Sequence, residues 1–178
     1  QEPGDGCDGK YCFVESGYSC TGSPSVCTLI PTPGRLVINE IDYDQPGEDT
    51  AEFVELHNSG NNPFNLSVVS LVLINGNNNE KYNSFALTGS SLAPGDYYVI
   101  CDSGISVPNC NQHLGVTGNW LQNGSPDAVA VEDSNGVIDT VSYEGSVAAP
   151  YTEGTGTTVE DSNSLPSVGL SRFPNGSD

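Results

Sequence analysis

The sequence predicts an all-β fold, a β-sandwich with a small disulfide-rich appendage at its N-terminus. Two observations carry this. From Arg35 onward the apolar residues come in short runs broken by Gly, Asn, Asp and Pro, and no helix-period stretch of ten or more exists. Four of the six cysteines, Cys7, Cys12, Cys20 and Cys27, crowd into the first 28 residues, where large apolar side chains are too few for a core.

The elements follow in order. Residues 1–28 form the cysteine-rich knot. Four cysteines allow three pairings, and the crossed one, Cys7 with Cys20 and Cys12 with Cys27, is the expectation because it closes two overlapping loops. Residues 29–34, LIPTPG, hold two prolines and read as a stiff, extended linker. Residues 35–178 form the sandwich, with strands expected at 36–43, 52–58, 67–74, 82–87, 97–101, 128–132, 137–143 and 169–173. Asn75-Gly76 and Asn135-Gly136 are turn dipeptides suited to positive φ, and Ala93-Pro94-Gly95-Asp96 makes a further turn. The pentapeptide Val-Glu-Asp-Ser-Asn, at 131 and again at 159, reads as two similar turns rather than a repeat architecture.

Composition narrows the function. Four basic residues against 23 acidic ones give a net charge of −19, which excludes binding nucleic acid by phosphate neutralisation and disfavours an anionic membrane surface. No apolar run is long enough to span a bilayer, and no charged-then-apolar leader opens the chain, which reads as mature or excised. The cysteines lack CxxC pairs, and the two histidines, His57 and His113, lie far from the first cluster. Disulfides are therefore expected rather than zinc, with Cys101 joined to Cys110, in an oxidising, extracellular setting.

Residues 34–58 carry the densest chemistry. Between Glu40 and Glu55 stand seven carboxylates without a Lys or Arg. Strict alternation places Glu40 and Asp42 on the face of Ile38, opposite Val37, Asn39, Ile41 and Tyr43, and puts Glu52 with Val54 and Leu56. Glu40, Asp42, Asp44, Asp49 and Glu52 are then candidates to converge on a calcium ion, which takes six to eight oxygens in irregular geometry. Charge density alone is equally the mark of a solvated acidic face, the reading favoured here, since no EF-hand spacing is present. Catalysis is not expected. Abundant carboxylates do not make a pair with separated pKa values, and neither histidine accompanies a nucleophile elbow. Trp120, Tyr97, Tyr98 and Tyr143 are expected in the sandwich, with a sugar-stacking role for Trp120 as the lesser alternative.

Several ordered motifs add a resemblance. Asn39-Glu40-Ile41, then Glu52-Phe53-Val54-Glu55-Leu56 with Asn58, the Leu92-to-Asp96 turn, the hairpin from Asp127, and Leu170-Ser171-Arg172-Phe173-Pro174 together resemble the bacterial, secreted branch of the lamin tail domain family. Residues 1–28, with Gly-Tyr-Ser-Cys and Pro-Ser-Val-Cys, resemble a cysteine-rich repeat of secreted myxobacterial proteins. The resemblance implies an immunoglobulin-like sandwich and a non-catalytic accessory module of an exported protein. The expected role is attachment or assembly at the cell surface, within a larger protein or by self-association, with a carbohydrate-binding accessory domain as the alternative. The family's last strand has no counterpart at the tail. The chain is thus expected to be a piece of a longer protein, with one sheet edge completed by residues 144–178 or by a second copy.

All six cysteines are predicted to be oxidised: alkylation without reductant, followed by intact-mass measurement, is expected to add no label, and two labelled cysteines would refute the pairing.

Overall fold

The computed structural model describes residues 13–31, 33–102, 107–161, 163–164 and 168–177. The chain divides into two compact units, Gln1–Thr32 and Pro33–Asp178, and the division falls within the proline segment.

In the first unit, β1 (Tyr18–Thr21) and β2 (Val26–Leu29) form an antiparallel hairpin in which Cys20 lies directly opposite Cys27. These two cysteines are bonded to each other, with Cα atoms 3.9 Å apart. The crossed pattern, Cys7–Cys20 with Cys12–Cys27, is therefore incorrect. The four residues between β1 and β2 are enough to turn the chain, and the hairpin register brings the nearer partner into place before a distant one can compete. Cys7 and Cys12 lie outside the described residues.

The second unit is a sandwich of two sheets. One contains β5 (Ser70–Asn75), β6 (Glu80–Ala86), β9 (Asp127–Asp133) and β10 (Gly136–Tyr143), in the order β10-β9-β5-β6. The other contains β3 (Leu36–Asp42), β4 (Phe53–Asn58), β7 (Tyr97–Cys101), β8 (Cys110–His113) and β11 (Leu170–Ser171), in the order β11-β3-β4-β7-β8. Leu71 and Leu73 of β5 and Val129 and Val131 of β9 meet Val54, Leu56 and Ile100 of the opposite sheet in the main core. The alternate residues Val72, Ile74, Ala128 and Ala130 form a second apolar cluster, covered by Val147. With both faces buried, β5 and β9 read as continuous apolar runs.

Several expected bounds shift for local reasons. Asn65 caps a single 3-10 turn, Leu66–Val68, by accepting the Ser67 amide, so β5 begins at Ser70 rather than 67. At the β5–β6 turn the left-handed residue is Asn79 (φ 57), not Gly76. Gly76 is required for a different reason: a Cβ there would collide with the Pro126 carbonyl. β8 has no apolar residue to announce it. It pairs parallel to β7, tied at its start by Cys101–Cys110, while Asn111 Oδ1 accepts the Val99 amide.

The central feature of β3 is a bulge at Asn39, where the pairing with β4 steps from Ile38↔Leu56 to Glu40↔Glu55. Leu36 and Ile38 before it, and Ile41 and Tyr43 after it, all join the core. The alternation that placed Glu40 and Asp42 beside Ile38 is thereby overturned: the extra residue puts both acids on the outer face. The bulge is held from outside its own sheet. Asp139 of β10 accepts the Ile38 amide at 2.6 Å and pairs with Arg172, whose Nε–H donates to the Ile38 carbonyl. The Arg172 amide donates to the Asn39 carbonyl, and the Gly176 amide to Asn39 Oδ1. The C-terminal segment thus covers the β3 edge with β11, the first of the two ways in which that edge was expected to be completed.

Removing one member of a buried ion pair leaves the other uncompensated, so Arg172→Ala is predicted to destabilise the fold by about 3–5 kcal/mol in urea unfolding. Burial raises the Asp139 carboxyl to about 6 even with Arg172 beside it. The loss should therefore be larger at pH 8, where Asp139 is charged, than at pH 5.

Candidate functional site

Six of the seven acids of residues 40–55 fall into three places once the sandwich forms, the interior, the outer face and the end of β3, while Glu48 is exposed on the loop. Asp49 and Glu52 are turned inward and satisfied by backbone and amide donors. Glu52, 0% exposed, accepts the amides of Trp120 and Leu121 with its two oxygens, at 2.9 and 3.0 Å. Asp49 accepts the Gln45 amide and the Asn123 side-chain amide. Together they pin the 118–123 segment across the end of the sandwich, and this segment delivers Trp120 into the core at 4% exposure, edge-on to Phe85. Trp120 is not a surface platform for sugars.

Glu40, Asp42 and Glu55 face outward from the five-stranded sheet. Glu40 lies directly opposite Glu55 on the neighbouring strand, a like-charge pair that works against the ladder. Glu55 accepts the Asn39 side-chain amide at 2.8 Å, and Asp42 accepts the Gln45 side-chain amide. Asp44 is half-buried at the end of β3, where the Tyr43 and Asp44 amides both donate to Asp161. Asp161 belongs to the second copy of the repeated pentapeptide. The first copy builds the β9–β10 turn through Asp133, which accepts the Asn135 amide, so the two copies do different work rather than forming similar turns.

The five candidate calcium ligands, Glu40, Asp42, Asp44, Asp49 and Glu52, are thus distributed over the outer face, the strand end and the interior. Among the described residues no three of them offer oxygens within 4.8 Å of one another. The group that does meet that spacing is Cys101, Cys110 and His113, whose two sulfurs are bonded to each other. His113 Nδ1 lies 3.0 Å from the Asp102 carbonyl, and His57 stacks on Tyr97 with its Nδ1 3.2 Å from the Asp96 carbonyl.

The outward acids border a groove of about 610 Å³ on the five-stranded sheet. Glu40, Asp42 and Glu55 share it with apolar surface from Phe53, Val99 and Pro108, and with Tyr97, 39% exposed. Glu55 and Phe53 were not among the candidate site residues, and Tyr97, expected in the sandwich, is instead partly exposed at the groove. The signal for them is the alternation of β4 and β7, usable only once the bulge is known.

The electrostatics follow from burial without cations. Burial first, then Glu55 and Asp161, raise the Glu40 carboxyl. Burial, against the Gln45 hydrogen bond and with Asp161, Glu40 and Asp49 adding repulsion, raises Asp42 to about 6. Asp44 is raised for the same kind of reason. Burial pushes Glu52 up to about 8 despite its two amide donors.

Residues 30–145 match the family model described as Lamin Tail Domain. No curated protein matches the chain.

The raised carboxyls fix the sign of the pH dependence. Between its ordinary value of 4.5 and about 8, Glu52 holds a proton in the folded chain that the unfolded chain has lost, so stability falls as pH rises through that window. Asp42 acts with the same sign between 3.8 and about 6. Thermal unfolding is predicted to occur at least about 5 °C higher at pH 5 than at pH 8.5. Glu52→Gln should flatten that slope while lowering stability by about 1–3 kcal/mol, because an amide cannot accept from both backbone donors. A melting temperature that rises with pH would contradict the assignment.

Proposed function

The chain belongs to the lamin tail domain family of immunoglobulin-like, non-catalytic domains, and from that premise we propose that it is an attachment or assembly module. Its contact surface is the acidic groove on the outer face of the five-stranded sheet, and its partner is a protein segment bearing lysine or arginine beside apolar side chains. The observation that carries this reading is the Glu40–Glu55 pair. Two carboxylates set opposite each other, with Asp42 beside them, weaken the isolated sheet and are relieved by a cationic partner, while Phe53 and Val99 supply apolar contact.

The two disulfides are compatible with a secreted or cell-surface location, and no helix among the described residues is long and apolar enough to cross a membrane. Calcium enters this reading as a counter-ion to Glu40, Glu55 and Asp42, able to link the groove to a second acidic surface and so favour self-association. A second reading, a carbohydrate-binding accessory domain, is favoured by Tyr97, which stacks on His57 and borders the groove with the amides of Asn109 and Asn111.

A peptide of alternating lysine and valine, titrated against the immobilised chain, is the direct probe. Binding is expected to weaken steeply with salt and to be lost on Glu40→Lys with Glu55→Lys. Salt-insensitive retention of a neutral cell-wall polysaccharide that Tyr97→Ala abolishes would favour the carbohydrate reading. Binding of neither probe would remove the groove as a contact surface.

A further inference from the structure

The Cys101–Cys110 bridge joins two neighbouring strands of the five-stranded sheet, and its two halves stand in different surroundings. Cys101, at the end of β7, is 0% exposed, whereas Cys110, the first residue of β8, is half-buried. A thiolate arriving from solvent therefore meets the Cys110 sulfur, and the Cys101 sulfur is the one that leaves. Exchange of this kind speeds up as the leaving sulfur is made less basic.

His113 is placed to do that. Exposed at the end of β8, it brings Nδ1 to 3.2 Å from Cys101 Sγ and 3.0 Å from the Asp102 carbonyl. A carbonyl oxygen can only accept, so this contact sets the tautomer and puts a hydrogen on Nδ1. The same N–H borders the Cys101 sulfur. While the bridge is closed that sulfur is neutral and a poor acceptor; once it holds the electron pair of a broken S–S bond it accepts a charge-assisted hydrogen bond. The donor thus favours the opened state over the closed one. Nor is the bridge alone in keeping β8 beside β7. Asn111 Oδ1 accepts the Val99 amide, the Leu114 amide donates to the Cys101 carbonyl, and Gln112 Oε1 accepts the Thr88 amide and the Tyr98 hydroxyl. These bonds hold the strand while the sulfurs part, and so keep His113 next to Cys101.

We infer that Cys101–Cys110 is a thiol-exchange site, through which a thiol-bearing partner becomes covalently joined to Cys110. The partner's thiolate attacks Cys110 Sγ and forms the new S–S bond. The Cys101–Cys110 bond breaks, and its electron pair stays on Cys101 Sγ, where the His113 Nδ1–H meets it. One disulfide is consumed and one is formed, so the step needs no oxidant beyond the bridge itself. Return attack by the Cys101 thiolate expels the partner and restores the bridge, which makes the link reversible. The site does not rest on the partner proposed for the groove, although Asn109 and Asn111, on either side of Cys110, border that groove.

Reduced glutathione is the probe thiol: the unaltered chain is incubated with it at neutral pH, quenched in acid, alkylated under denaturing conditions and mapped by peptide mass. Glutathione is expected on Cys110, with the alkyl label on Cys101. His113→Ala is expected to slow the appearance of that species by about tenfold, while exchange at Cys20–Cys27, the control in the same molecule, stays unchanged. A histidine that merely packed the bridge shut would act in the opposite sense, and its removal would speed exchange. If circular dichroism shows that this variant does not fold, the position of glutathione in the unaltered chain decides by itself. A peptide holding one cysteine between lysine and valine residues, run in parallel, distinguishes the source of the thiol. Faster transfer than to glutathione at equal thiolate concentration assigns a protein partner, and transfer at the same rate or slower assigns a free thiol. Glutathione found on Cys101 as often as on Cys110, no exchange at millimolar thiol, or exchange that quickens in the folded His113→Ala chain would overturn the assignment.

Discussion

The ion pair between Asp139 and Arg172 is the interaction on which the rest of the sandwich depends, because it holds the Asn39 bulge from the opposite sheet. Asp139 is 2% exposed and stands on β10, while Arg172 follows β11 and reaches across the edge of β3. Between them they take the Ile38 amide and the Ile38 carbonyl, both polar groups of a residue whose side chain is in the core. A bulge unsupported in this way would leave buried backbone groups without partners, at a cost comparable to a lost hydrogen bond for each. One residue of slip in β3 would exchange Ile41 and Tyr43 for Glu40 and Asp42 on the core side. The clamp therefore decides which way the acids face as well as how firmly the C-terminal segment is attached.

That arrangement explains how 23 acids coexist with four bases. The inward acids do not wait for cations. Glu52, Asp49 and Asp161 each accept backbone amides at points where a strand ends or a loop crosses the sandwich, which substitutes for the caps that short strands otherwise lack. Tyr43 and Tyr143 stack 4.4 Å apart beside this network, and the Tyr43 hydroxyl accepts the Asp161 amide while donating to Glu144. What remains without a cationic partner among the described residues is the outward set, Glu40, Asp42 and Glu55, which borders the groove. Inward and outward acids thus share one loop and two strands.

Much of this was legible in the sequence where a pattern is local. The apolar runs of β5 and β9, the Gly136 turn at φ 128, β7 at Tyr97–Cys101 and the burial of Trp120 and Tyr143 follow from periodicity and turn chemistry. What depends on a partner distant in the chain was not legible. The bulge at Asn39 inverts the facing of Glu40 and Asp42, and nothing within residues 34–58 marks it, because its supports lie about 100 and 130 residues away. β8 escaped notice since Cys-Asn-Gln-His is held by a disulfide and by side-chain hydrogen bonds rather than by apolar packing. The Cys20–Cys27 pairing required the hairpin register, which cysteine spacing does not contain.

Native-state hydrogen exchange at the Ile38 amide tests the central claim most directly. If Asp139 and Arg172 clamp the bulge as part of the core, this amide should exchange only through global unfolding, in step with Val129 and Leu73, although a bulge amide has no ladder partner of its own. Asp139→Ala should release it to exchange by local opening while Val129 and Leu73 remain in step with global unfolding. An Ile38 amide in the unaltered chain that exchanges at the rate of a surface loop would show that the bulge opens independently of the core, and would contradict the account.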